Sequence, residues 1–177
     1  GQYTTPDFRF NVNTDQSTHE GYTGSDLMTA SNTGRDQDVV DLVFNHDLTK
    51  SVINLSSENL PAGTQSITFK NVYYSVNADL ASNTYKATGT RTDIKASSNG
   101  TNSFKAILPP QTIEEGETFV EIIIGGVNYK WAVERQLVHS SGVEYTYTLT
   151  LEEGGITFTS DINPWNTPSD IESIIPQ

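Results

Sequence analysis

The sequence predicts an all-β fold, and three observations predict it. Several segments alternate strictly between apolar and polar residues, as a strand with one buried face must. No stretch sustains the 3.6-residue apolar period of an amphipathic helix. Short strand-like runs recur between Gly, Pro and Asn turns at the spacing of β-sandwiches.

The clearest run is HSSGVEYTYTLTLEEGGITFTSDINPW, from His139 to Trp165. Tyr145, Tyr147, Leu149 and Leu151 fall on one face, and Thr146, Thr148 and Thr150 on the other. Glu153-Gly154-Gly155 supplies residues that tolerate a tight reversal. Ile156, Phe158 and Ser160 against Thr157 and Thr159 continue as a second strand, and Pro164-Trp165 closes the hairpin.

Upstream, Phe8 to Val12 reads as a short strand before the polar loop NTDQSTHEGYTGSD. That loop fails as a calcium site: Gln16 stands where an EF-hand needs glycine, and Tyr22 where it needs the bidentate glutamate. Asp38 to Leu55 carries two strand patterns, one through Leu42, Phe44 and His46, the other through Val52 to Leu55. Leu60 to Gly63 is a turn, and Ser66 to Val72 alternates again. Tyr73 to Leu80 continues with mixed character. Asn83 to Asn102, rich in Thr, Ser, Lys and Gly, reads as an exposed edge or long loop, with a hairpin turn at Asn99-Gly100. Phe104 to Leu108 is a strand stopped by Pro109-Pro110. A second confident hairpin joins Phe119–Ile124 to Val127–Val133 through Gly125-Gly126. The tail Asn166 to Gln177 carries Ile171, Ile174 and Ile175 and reads as docked locally or awaiting another surface.

Composition narrows the function. The formal net charge is −12, so the chain is poorly suited to nucleic acid or to an anionic membrane surface. The dispersed acidic side chains read as a solvated surface. There is no cysteine, which excludes disulfides, thiolate zinc sites and cysteine nucleophiles. No apolar run approaches the roughly 20 residues of a membrane-spanning helix. Gly1, with no methionine before it, reads as a processed or engineered start from which any export signal has been cut.

Catalytic patterns are sought and not found. Glu114-Glu115-Gly116-Glu117 and Glu152-Glu153 look like turn residues rather than a glycosidase pair. No nucleophile elbow, phosphate-binding loop or dinucleotide fingerprint occurs. His19 and His139 sit in polar, turn-like settings, and His46 beside Asn45 and Asp47 reads as a locally hydrogen-bonded strand histidine. Asn54-Leu55-Ser56 and Asn99-Gly100-Thr101 match the glycosylation sequon, which is too loose to carry weight. The aromatics Tyr73, Tyr74, Trp131 and Trp165 could form a sugar-stacking platform, although core packing suits them better.

Taken in order, S-D-L-M-x-A (Ser25 to Ala30), V-x-L-V-F-N-H-D-L-T-K (Val40 to Lys50) and A-I-L-P-P-Q (Ala106 to Gln111) are followed by the strand Phe119–Ile124. Y-T-Y-T-L-T-L (Tyr145 to Leu151) and I-N-P-W (Ile162 to Trp165) complete the series. This order resembles the fimbrillin families of Bacteroidetes, above all the Mfa-like, FimA-related fimbrillin-like proteins.

The resemblance implies two transthyretin-like (immunoglobulin-like) β-sandwiches in tandem, with a boundary expected near Pro109: residues 1–108 with a polar N-terminal arm, and 109–177 with a tail. It implies a non-enzymatic fimbrial or cell-surface adhesion subunit without cofactors. Other fimbrial subunits would be its partners, with host or bacterial surface proteins or glycans beside them. Membrane contact at the outer membrane would come only through a lipid anchor on a precursor. By the same analogy, Ile171, Ile174 and Ile175 belong to a strand donated to a neighbour. The alternative reading is a carbohydrate-binding surface lipoprotein whose contacts are Tyr73, Tyr74 and Trp131.

Overall fold

The structure is a computed structural model, and it describes residues 8–30, 42–56, 60–152 and 155–165. In chain order the elements are β1 (Phe8–Asn11), α1 (His19–Thr23), β2 (Met28–Ala30), β3 (Phe44–His46), β4 (Thr49–Leu55), β5 (Gln65–Asp79) and β6 (Thr84–Lys95). Then come β7 (Ser97–Ser98), β8 (Ser103–Leu108), β9 (Gln111–Ile113), β10 (Thr118–Ile124), β11 (Val127–Ala132), β12 (Leu137–His139), β13 (Val143–Glu152) and β14 (Gly155–Pro164). The protein is nearly all β, as the alternation predicts.

Two five-stranded sheets carry the fold. In the first, β1, β5, β10 and β11 lie in that order, and β6 pairs with β5. The second runs β14-β13-β4-β8-β7. Within it β4 lies parallel to β13, with Lys50 opposite Glu144 and Leu55 opposite Leu149. Small two-stranded pairs, β2 with β3 and β9 with β12, flank the sheets.

One buried cluster unites them. It includes Ile53 and Leu55 of β4, Phe69 and Val76 of β5, Phe119 and Ile122 of β10, Trp131 of β11, and Tyr147 and Leu149 of β13. Non-polar surface removed from water is the main stabilising term here, at about 25 cal/mol per Å². The division expected at residues 108 and 109 falls inside both sheets, because β4 pairs with β13 and β5 with β10 across it.

The segment read as an exposed edge or long loop contains an edge: β6, a twelve-residue strand from Thr84, whose Thr-rich faces stay largely exposed because it pairs on one side with β5. Two local outcomes differ from the pattern reading. The polar loop after β1 contains the short helix α1, started by the Thr18 hydroxyl, which accepts the Gly21 N–H at 3.0 Å. Gln16 in that loop is fully buried. Its amide Nε2 donates to the Ile107 carbonyl at 2.8 Å, and its Oε1 accepts the Ile107 N–H at 2.9 Å. A side chain thus completes the ladder along β8 beyond the end of β7.

Candidate functional site: the open edge at β14

Among the described residues β14 pairs only with β13, leaving its outer edge without a strand. Register makes the consequence specific. Phe158, Ser160 and Ile162 lie opposite Leu149, Tyr147 and Tyr145, so they share the core-side face of the sheet. Tyr145, Tyr147 and Leu149 are buried, yet Ile162 is 65% exposed. At Ile162 the core-side face is therefore open to solvent. A long strand with an open edge and an uncovered apolar residue invites pairing with another chain.

Two aromatic anchors hold β14 to the body. Phe158 rests on Trp131 with ring centroids 4.8 Å apart, which joins the edge strands of the two sheets on the same side of the molecule. At the other end Trp165 stacks face to face on His46, 4.0 Å between centroids and 1° between planes. The Trp165 backbone N–H donates to the Gly142 carbonyl at 3.0 Å, and the Lys50 ammonium lies 6.0 Å from the indole centroid. His46 is held in turn by a 2.9 Å contact between its Nδ1 and the Asp26 carboxylate, and Lys50 by Glu144 at 2.7 Å. The block around His46 in the sequence is therefore the seat of the tryptophan that ends the last described strand. His46 is hydrogen-bonded, as expected of a strand histidine, but its partner Asp26 is twenty residues earlier and not a sequence neighbour.

Beside Phe158, a cleft of about 350 Å³ opens between β14 and the chain linking β11 to β12, lined by Glu134, Arg135, Phe158, Thr159 and Ser160.

The aromatic residues singled out in the sequence are not brought together. Trp131 is 2% exposed and packs against Phe119, Tyr147 and Phe158, so it is a core residue and not a surface contact. Tyr73 and Tyr74 are half-buried neighbours on β5, and Tyr73 lies under the Arg91 guanidinium at 4.9 Å. Ile171, Ile174 and Ile175 lie outside the described residues. His139, read as a polar turn residue, is instead 2% exposed on β12. Its Nε2 lies 2.7 Å from the Tyr147 hydroxyl, and Phe119 and Tyr145 pack on its ring. Burial pulls its pKa down to about 3, and the same desolvation raises that of Tyr147. Among the described residues no group of three or more His, Cys, Asp or Glu side chains is placed to hold a metal ion. No helix among them is long and apolar enough to cross a membrane.

The family model described as Fimbrillin-like matches residues 2–165. The chain belongs to the fimbrillin-like family. This fimbrillin-like chain is also similar in fold to solved structures. A candidate cell adhesion protein from Bacteroides uniformis superposes with a TM-score of 0.72 at 20% identity, over 90% of this chain and 66% of that one. Another from Bacteroides ovatus gives 0.73 at 17% identity, over 96% and 63%. The C-terminally truncated tip fimbrial protein Mfa3 from Porphyromonas gingivalis gives 0.51 at 14% identity, over 69% and 52%. The chain therefore spans slightly less than two thirds of the length of the first two. Comparison with curated proteins finds no match.

Proposed function

We propose that the protein is a fimbrial or cell-surface adhesion subunit, without catalytic activity, that joins its neighbours by strand complementation. The open edge of β14 is the acceptor. The segment 166–177, with Ile171, Ile174 and Ile175, supplies the strand that enters the next subunit. The observation that carries this reading is Ile162: it sits on the core side of the sheet, stays exposed, and borders a strand edge that pairs with no second strand among the described residues. An incoming strand would satisfy those main-chain groups and cover the isoleucine, the physics of β-augmentation. Membership of the fimbrillin-like family supports fimbrial partners and a place on the cell surface. Attachment to the outer membrane would then come from a lipid on a precursor.

The test is assembly on the cell. A full-length exported precursor is expressed in a Bacteroidetes host, and surface fractions are run on unheated SDS gels beside a form ending at Trp165 that still folds and is exported. A ladder that collapses on heating and is lost on truncation supports the reading. A ladder in both moves the donor to another segment, and monomer alone in both removes strand-mediated assembly.

A further inference from the structure

The cleft beside Phe158 has a composition that the assembly reading does not use. Its base is an aromatic ring backed by the buried Trp131. Its rim carries a carboxylate, a guanidinium and two hydroxyls from Glu134, Arg135, Thr159 and Ser160. Among the described residues no hydrogen bond or salt bridge ties down the side chain of Glu134 or Arg135. The other described arginines are engaged: Arg9 donates to Ser75, and Arg91 to Glu117 at 2.7 Å. A free donor fork and a free acceptor pair, side by side in a cleft that an aromatic ring also lines, suit a ligand rich in neighbouring hydroxyls with one apolar face.

We propose that this cleft binds a neutral hexopyranose, such as the terminal sugar of a glycan. The Glu134 carboxylate accepts hydrogen bonds from two adjacent hydroxyls, and the Arg135 guanidinium donates to hydroxyl or ring oxygens. The C–H face of the sugar lies against Phe158. The volume of about 350 Å³ is at the small end of ligand clefts and suits one or two rings. Charge selects the class. Arg135 and Glu134 offset each other towards a sugar acid, and the chain's net charge of −12 then tips the balance, so neutral sugars are preferred over uronic or sialic acids. The cleft is open and has one aromatic ring among its described lining residues, so affinity for a single sugar is on the order of millimolar, and a multivalent surface supplies avidity. The aromatic that carries the site is thus Phe158, with Trp131 behind it, and not the Tyr73-Tyr74 pair.

Trp131 gives the measurement. A Trp165→Phe variant leaves Trp131 as the sole tryptophan, in ring contact with the cleft floor. Its fluorescence is titrated with methyl α-mannopyranoside, methyl β-galactopyranoside and methyl β-glucopyranoside, with glucuronic acid as the charged control, and calorimetry on the unmodified protein gives a second readout. The expected result is saturable binding of at least one neutral glycoside, weakened at least tenfold by Arg135→Ala and by Glu134→Gln. Both residues are exposed, so the variants should keep the parent melting temperature. No saturable response to any neutral glycoside, an unchanged response in both variants, or tighter binding of glucuronic acid would each overturn the proposal. Its outcome does not depend on whether the subunits polymerise.

Discussion

Acidification should weaken this fold through His139, and the size of the effect follows from its burial. In the unfolded chain the imidazole takes up a proton near pH 6.5, whereas in the folded protein it stays neutral down to about pH 3. A base whose folded pKa is depressed costs nothing above its unfolded value. As pH falls below 6.5 the unfolded state alone gains the proton, so stability drops with decreasing pH. At about 1.4 kcal/mol per unit, lowering the pH to 4.5 removes about 2–3 kcal/mol, a large share of a domain's usual 5–15 kcal/mol. Other groups act elsewhere or oppositely. Asp15 and Asp79, held low by the Ser17 and Ser82 side-chain hydrogen bonds, lose their contribution only as pH falls below about 3.8. Asp47, raised by desolvation, contributes with the opposite sign. Comparison with a variant isolates the histidine: His139→Gln keeps a hydrogen-bonding group near the Tyr147 hydroxyl and does not titrate. Urea unfolding of both proteins at pH 7 and 4.5 is the assay. The parent should lose about 2–3 kcal/mol more than His139→Gln between the two conditions. Equal losses would mean that His139 accepts a proton in the folded state, which contradicts its placement among Phe119, Tyr145 and Tyr147.

Three further outcomes follow from particular contacts. Gln16→Ala strips partners from both backbone groups of Ile107 and should lower stability by about 2–4 kcal/mol in urea unfolding. Gly125→Ala places a Cβ 2.8 Å from the Ala62 carbonyl oxygen at φ +57°, and a loss of about 1–3 kcal/mol should appear as a lower melting temperature. Trp165→Ala removes the ring that stacks on His46, so amide exchange across residues 157–164 should accelerate while β4 and β10 stay protected.

What the sequence made legible was local. The β13–β14 hairpin and the β10–β11 hairpin lie where alternation and glycine placed them, and Tyr145, Tyr147, Leu149 and Leu151 face inward as the alternation of β13 predicts. Long-range pairing was not legible. The parallel alignment of β4 with β13 joins residues more than ninety positions apart, and no turn residue records it. Composition misled at His139 and Gln16: both are polar, and both are buried, Gln16 bonded to Ile107 and Asn13, and His139 held through Nε2 by the Tyr147 hydroxyl. Alternation assigned Phe158 and Ser160 to a face but could not say that Ile162, on the same face, stays open to solvent. Nor could it show that β11 and β14 are edges on the same side, which puts Glu134 and Arg135 beside Phe158. The aromatic count drew attention to Trp131, whose ring the fold spends on the core.

The central claim is that β14 receives a strand from another subunit, and residue-specific disulfide trapping tests it most directly. The chain has no cysteine, so every introduced thiol is unique. One population carries a cysteine on β14, in separate variants at Thr157, Thr159 or Asp161, and the other carries Ile174→Cys. The two are co-expressed as exported precursors and oxidised on the cell surface. Covalent dimers between the β14 and tail variants, absent when the first cysteine sits at Lys86 on β6, are the predicted result. Fibres that form without any β14 cross-link, or cross-links no more frequent at β14 than at Lys86, would contradict the account.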